Sequence, residues 1–170
     1  MPYSMHLKSL SEWYVQLVAE SLGKRLDRNG EVVNYGRTPI VAVGTTDMHA
    51  QTQQHQEGRL NKVVQFLEIA DPEERAVVHN PFADVPYFAK FDGLDMNKAL
   101  KIALDANEAA LTSDNRYNAR FTLPRLNEYM LGQLMYFLML SVAYEGELAD
   151  VDAFDQPGVE VYKRFMKEKL

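Results

Sequence analysis

The sequence predicts an α/β fold built around a parallel sheet. Segments of helical and strand-like periodicity alternate along the chain, as layered α/β domains require. The run Thr38-Pro39-Ile40-Val41-Ala42-Val43-Gly44 is apolar and β-branched without alternation, the pattern of a strand covered on both faces. With 170 residues, 46% hydrophobic and 25% charged, the composition is that of one globular domain and excludes a disordered or collagen-like chain.

Taken in order, Leu7, Leu10, Trp13, Tyr14, Leu17 and Val18 recur at helical spacing, and Gly23 offers a stop. Asp27-Arg28-Asn29-Gly30 and Asn34-Tyr35-Gly36 are turn clusters. Pro39 fits the start of the Thr38–Gly44 strand, where a missing donor does no harm. Thr45, Thr46 and Asp47 supply N-cap candidates for a helix to about Glu57, stopped by Gly58. A second strand is expected at Val63 to Ile69. Between Ala70 and Asp95, Pro72, Pro81, Pro86 and Gly93 interrupt every pattern, leaving Val77-Val78 and Tyr87-Phe88-Ala89 as brief pairing segments. Met96 to Leu111 reads as a helix, and Arg120 to Leu123 as a strand closed by Pro124. Leu126 to Glu147 is apolar nearly all round, which predicts a buried helix, and Val159 to Leu170 is amphipathic. Three strands are few for an open sheet, which has about 4–6.

Composition narrows the function. Eighteen basic against twenty-four acidic residues leave a formal charge of −6, the wrong field for a phosphate-backbone partner, so nucleic acid is not expected. The absence of cysteine removes disulfides, thiolate catalysis and Cys-based zinc sites, and fits a reducing cytosol. No cationic start precedes an apolar core, so no secretory signal is read. The longest apolar run, Met130 to Tyr144, is broken by Gly132, Gln133 and Ser141 and is shorter than the ~20 residues of a membrane span.

Three places can carry chemistry. Glu20 sits at the border of the first apolar stripe, one turn before the helix stop. A half-buried carboxylate beside an aromatic ring is short of solvation, which suits a general base, although rim glutamates on surface helices look the same. His49 lies in the first turn of the helix leaving the carboxyl end of the Thr38–Gly44 strand, the crevice where α/β sheets collect ligands. It can move a proton near neutral pH or merely pack. The free N–H groups at Thr45 to Asp47 can hold an anion, a common and weak signal. His49 and His55 are six residues apart, off the i, i+4 spacing a helical zinc pair needs, so no metal is expected. Phe154 to Lys163 is a turn opening a helix: Asp155 can cap, Pro157 suits the first turn, and Lys163 lies on a surface face.

Glu20-Ser21-Leu22-Gly23-Lys24 resembles the glutamate segment of the phosphoglucose isomerase family, and Gly44-Thr45-Thr46-Asp47-Met48-His49 resembles its bacterial histidine segment. Asp155-Gln156-Pro157-Gly158-Val159-Glu160-Val161-Tyr162-Lys163 is similar to its C-terminal signature, and order and spacing agree. Met48 and Leu22 depart from the glutamine and asparagine found at these places in some members. The resemblance implies a three-layer αβα sandwich with a parallel sheet, the sugar-isomerase (SIS) fold, here lacking one or more N-terminal strands. Residues 1–150 would be part of the second SIS domain and residues 151–170 the C-terminal segment and helix. It implies interconversion of glucose 6-phosphate and fructose 6-phosphate by ring opening and a cis-enediolate. Glu20 would be the base, His49 and Lys163 would serve ring opening, and Gln156 would contact the sugar. It further implies a cytoplasmic homodimer with a sugar-phosphate substrate, no cofactor, and an N-terminal SIS domain absent from this chain. Without that domain's phosphate loop and arginine, the chain alone is expected to be nearly inactive. A phosphosugar-binding SIS module without catalysis is the alternative.

Overall fold

The elements in chain order are α1 (Lys8–Leu22), β1 (Lys24–Leu26), β2 (Val32–Tyr35), α2 (Met48–Glu57), β3 (Val64–Ile69), α3 (Pro86–Ala89), α4 (Met96–Ser113), β4 (Asn118–Leu123), α5 (Glu128–Leu148) and α6 (Pro157–Lys167). A short 3-10 turn, Met5–Leu7, precedes α1. This computed structural model describes residues 1–170. It divides into one unit of Met1–Ser9 with Val41–Met130 and a second of Leu10–Ile40 with Leu131–Leu170. No helix is long and apolar enough to cross a membrane.

The first unit carries the predicted parallel sheet. β3 and β4 pair in register from Val64 opposite Asn118 to Ile69 opposite Leu123. On the other edge of β3, Pro2 bridges Leu67 in parallel, with Tyr3 N–H donating to the Leu67 carbonyl at 2.9 Å. β3 is therefore central, and Phe66, Leu67 and Glu68 are buried in succession, as a strand covered on both faces must be. Phe66 packs with Tyr3, Val64, Leu104 and Leu111, the last two from the inward stripe of α4. α4 starts where Asp95 accepts hydrogen bonds from the Asn97 and Lys98 N–H groups.

The expected strand Thr38–Gly44 does not form. Ala42, Val43 and Gly44 are buried as anticipated, but a ladder needs donors and acceptors in register. Pro39 has no donor, the Val43 N–H is taken by the Asp47 carboxylate at 2.7 Å, and Gly44 N–H donates to the Pro2 carbonyl at 2.9 Å. Tyr87-Phe88-Ala89 belongs to the short helix α3 rather than to a strand, because Pro86 at the first helical position presets its backbone. Val77 does pair, bridging Asp95 in antiparallel fashion.

In the second unit, the Asp27–Gly30 cluster closes a hairpin that periodicity did not reveal, β1 against β2. Asp27 Oδ1 accepts from Asn29 N–H and Glu31 N–H, and Gly30 takes φ of +86°, which costs glycine little. Strands of three and four residues are too short for periodicity to register. Val18 and Leu22 of α1 pack with Val142 of α5 and Ala153. The expectation that α5 is buried all round is wrong. Leu134, Leu138, Val142 and Gly146 form one buried i, i+4 stripe, while Tyr136, Phe137, Met139, Leu140 and Tyr144 are exposed. A helix buries only the face that finds a partner, whatever the composition of the rest. The amphipathic character of α6 is as predicted, yet it buries no residue.

One charge cluster dominates the first unit. Glu68 is buried on β3, and its carboxylate meets Lys101 Nζ at 2.9 Å, Arg120 Nη1 at 3.3 Å and the Thr122 hydroxyl at 3.2 Å. Arg120 also pairs with Asp105 at 2.7 Å and with Glu108. Burial alone would raise the Glu68 carboxyl, but the hydrogen bond from Lys101 and the two cations hold it below the ordinary carboxylate value. A depressed carboxyl stabilises the fold above its unfolded pKa, and the stabilisation is lost as pH falls through the folded value. The melting temperature should therefore fall as pH drops below about 4, the ordinary carboxylate range. Glu68→Gln should flatten that acid slope and lower stability at pH 7 by about 1–3 kcal/mol, because Arg120 and Lys101 lose a buried partner. Thermal melts of both proteins between neutral pH and about pH 2 check this; an unchanged slope in the variant would remove Glu68 from the acid transition.

Candidate active site

The second unit assembles three of the four predicted site residues. Glu20 lies in the last turn of α1 and is half-buried, as its border position predicts; its carboxylate accepts a hydrogen bond from Gln16 Nε2 at 3.4 Å. The helix ends two residues later, where Gly23 N–H closes onto the Ala19 carbonyl. Gln156 occupies the N-cap position of α6, makes no side-chain cap bond, and is exposed, with Pro157 opening the first turn. Lys163 lies nearly two turns on and pairs with Glu160 at 2.8 Å. The hydrogen bond to Glu160 raises the Lys163 ammonium above its ordinary value, and the charges of Glu160 and then Glu20 raise it further. Glu20 and Lys163 are 143 positions apart in the chain, yet the Glu20 charge is among the influences that raise Lys163.

Lys24 is bonded to the segments that carry Glu20 and Gln156. It is the first residue of β1 and only 5% exposed. Its ammonium reaches the Glu20 carbonyl at 3.4 Å, the Asp155 carboxylate at 2.9 Å and the Asp155 carbonyl. Asp155 therefore does not cap α6, as its place before Pro157 suggests; its carboxylate is turned to Lys24 instead, because a buried ammonium demands a counter-charge more strongly than a helix start demands a cap. Lys24 and Asp155 both stand inside the segments that carry the family resemblance, but only the burial of Lys24 and its pairing with Asp155, invisible to spacing, separate them from ordinary surface charges.

His49 belongs to the first unit, as the second residue of α2, and is exposed. α2 buries no residue. Polar bonds hold it to α4: Thr52 Oγ1 donates to Asn107 Oδ1 at 3.1 Å, and Gln56 Nε2 donates to the Ala110 carbonyl at 3.1 Å. Asn107 is buried, and its amide also donates to the Tyr3 hydroxyl at 3.1 Å, which in turn contacts Met48 Sδ at 3.2 Å. Asp47 stands at the N-cap without capping through its side chain. The anion reading of this helix start weakens accordingly, since Asp47 N–H donates to the Val43 carbonyl at 2.7 Å and Met48 N–H to the Thr45 carbonyl at 3.2 Å. Gly44 lies against the face of Tyr3, so close that a Cβ would sit 2.5 Å from the ring. The approach to His49 is thus fixed by a glycine under an aromatic ring and by one buried amide.

A cavity of about 560 Å³ opens in the first unit beside Glu68, Arg75, Asn97 and Lys101. It contains none of the predicted site residues, and Glu68 and Lys101 there already neutralise each other.

Known proteins resemble this chain along nearly its whole length. The family model for phosphoglucose isomerase matches residues 1–169. A glucose-6-phosphate isomerase of Carboxydothermus hydrogenoformans is 41% identical over 164 residues, covering 96% of this chain and 35% of that protein. One from Rubrobacter xylanophilus is 38% identical over 170 residues, covering 100% and 38%. The crystal structure of a hypothetical protein from Thermus thermophilus superposes with a TM-score of 0.90 at 36% identity, over 99% of this chain and 40% of that one. The glucose-6-phosphate isomerase structure from Chlamydia trachomatis matches with a TM-score of 0.80 at 23% identity, over 98% and 33% of the two chains, and speaks to the fold. The chain spans little more than a third of the length of the two curated relatives described.

Asn107→Ala should cost about 1–3 kcal/mol, because it leaves Thr52 and Tyr3 without their shared buried partner. Amide hydrogen exchange should then quicken in α2 before it quickens in β3. Gly44→Ala should destabilise by about 1–3 kcal/mol through displacement of the Tyr3 ring, as overpacking does, and thermal melts would read it.

Proposed function

This chain belongs to the phosphoglucose isomerase family, and from that premise we propose that it is the catalytic C-terminal part of a glucose-6-phosphate isomerase. In this reading residues 1–150 are part of a second SIS domain and residues 151–170 are its C-terminal segment and helix. The substrate is a sugar phosphate in the cytoplasm, and the working form is a homodimer completed by an N-terminal SIS domain.

The observation that carries the proposal is that Lys24 bonds both the Glu20 carbonyl and Asp155, which brings the end of α1 to the segment opening the helix that bears Gln156 and Lys163. A proton next to a carbonyl is weakly acidic, so isomerisation needs a positioned base. Glu20 takes the proton from C2 of the open-chain aldose as the C1 carbonyl becomes an enediolate oxygen. The same carboxyl then returns its proton to C1 while the proton of the C2 hydroxyl passes to the C1 oxygen, so that C2 becomes the ketose carbonyl. One carboxylate serves both carbons because they are adjacent. The earlier ring opening requires a proton on the ring oxygen and removal of one from the C1 hydroxyl. Lys163, held protonated by Glu160, and His49 are the groups assigned to that exchange. Gln156, whose side chain is free of capping duties, contacts the sugar hydroxyls.

The developing oxyanion and the phosphate need donors that these residues do not supply. Binding energy from a phosphate grip positions the reacting carbons, so its loss slows the chemistry itself. The purified 170-residue chain should therefore turn over fructose 6-phosphate at least ~10²-fold more slowly than the chain completed by an N-terminal half. A coupled assay with and without that half checks this, and near-normal turnover by the chain alone would refute it. In the completed enzyme, Glu20→Gln should reduce turnover by about 10²–10⁴-fold while sugar-phosphate binding persists. Retained turnover would remove Glu20 from the base role. Binding without turnover in the completed wild-type protein would favour a non-catalytic phosphosugar module.

A further inference from the structure

Lys24 is a buried cation to which the proposed chemistry gives no task. Lysine is almost never fully buried without a partner, because an unpaired ammonium in a protein interior costs several kcal/mol. Here the partners are all oxygens of two segments that meet nowhere in the sequence: the Glu20 carbonyl at the end of α1, and the carboxylate and carbonyl of Asp155 immediately before Gln156. The chain leading to Asp155 is anchored as far as Val151 and Ala153, which are buried. Beyond Asp155 stands α6, an 11-residue helix with no buried residue. A helix of that length is marginal by itself and has no buried apolar face to orient it. Its direction is therefore set at its root, and Lys24 holds the root.

We propose that Lys24 is a positioning residue: its ammonium ties the start of α6 to the last turn of α1, so that Glu20, Gln156 and Lys163 present themselves to a single ligand. The inference rests on the assignment of Glu20 and Lys163 above, but the geometry it claims can be measured without substrate. Lys24 donates to the backbone carbonyl of Glu20 rather than to its carboxylate, so it fixes the place of the base without neutralising it.

The chain has no cysteine, which makes paired spin labels specific. Ala19→Cys on α1 and Arg164→Cys on α6, both on exposed residues, carry nitroxides whose separation is read by pulsed electron spin resonance in the whole chain. The wild-type background should show one narrow distance distribution. Lys24→Met keeps the volume of the side chain and leaves Asp155, 53% exposed, free to meet water, so the fold should survive. In that variant the distribution should broaden at least about twofold while the circular dichroism spectrum stays unchanged, since motion at one root frees one helix and not the core. Asp155→Asn removes the counter-charge but keeps the carbonyl, and should broaden the distribution less. This second variant decides the matter if Lys24→Met fails to fold. A distribution as narrow as wild type in the folded variants would overturn the inference, whatever the turnover. A distribution that depends on Lys24, in a chain that shows no isomerase activity even when completed by an N-terminal half, would uphold the clamp and count against the assigned reaction alone.

Discussion

A buried ammonium must be surrounded by oxygen, and in the second unit that requirement ties the end of α1 to the start of α6. Lys24 collects two carbonyls and one carboxylate from opposite ends of the chain. Removing the Asp155 carboxylate would leave the ammonium in an interior that cannot solvate it, whereas Asp155, 53% exposed, would still meet water without Lys24. Apolar packing of Val18, Leu22, Val142 and Ala153 brings the segments near one another, but such contacts are non-directional. The ammonium adds direction to that junction.

The first unit uses a buried polar side chain in a similar way. α4 is held by an apolar stripe on Phe66 and Tyr3, while α2 has no such stripe and depends on Asn107 and Gln56. Hydrogen bonds fix orientation tightly, and they fail abruptly when one partner is lost. α2 with His49 and α6 with Lys163 bury none of their own residues, whereas α1 with Glu20 buries Val18 and Leu22. Helices without a buried face yield most easily to a local opening. Polar contacts at the flank of α2 and at the root of α6 restrain these two helices.

Much of this was legible in the chain. β3, β4, α2 and α4 fall within two or three residues of their predicted limits because their signals are local: a β-branched run, a glycine stop, an apolar stripe, a proline closure. The segments around Glu20, His49 and Lys163 could be singled out by residue type and order, and the half-burial of Glu20 followed from its angular position on α1. The failures share a cause. Thr38–Gly44 has the composition of a strand, but a ladder depends on which donors the neighbouring chain leaves free. α5 has the composition of a buried helix, but burial depends on how many sides have partners. The hairpin of β1 and β2 is made by one aspartate turn and strands too short to show a period.

The sequence by itself determined the α/β class, the positions of most elements and the identity of the residues able to move protons, because propensity, capping and periodicity act over a few neighbouring residues. Tertiary structure alone decided that Lys24 is buried while the other lysines are not, that Asp155 answers it instead of capping a helix, and that the Glu20 charge is among the influences that raise Lys163. Those facts depend on desolvation and on Coulombic contact between groups more than a hundred residues apart. Neither quantity exists until the chain has closed on itself.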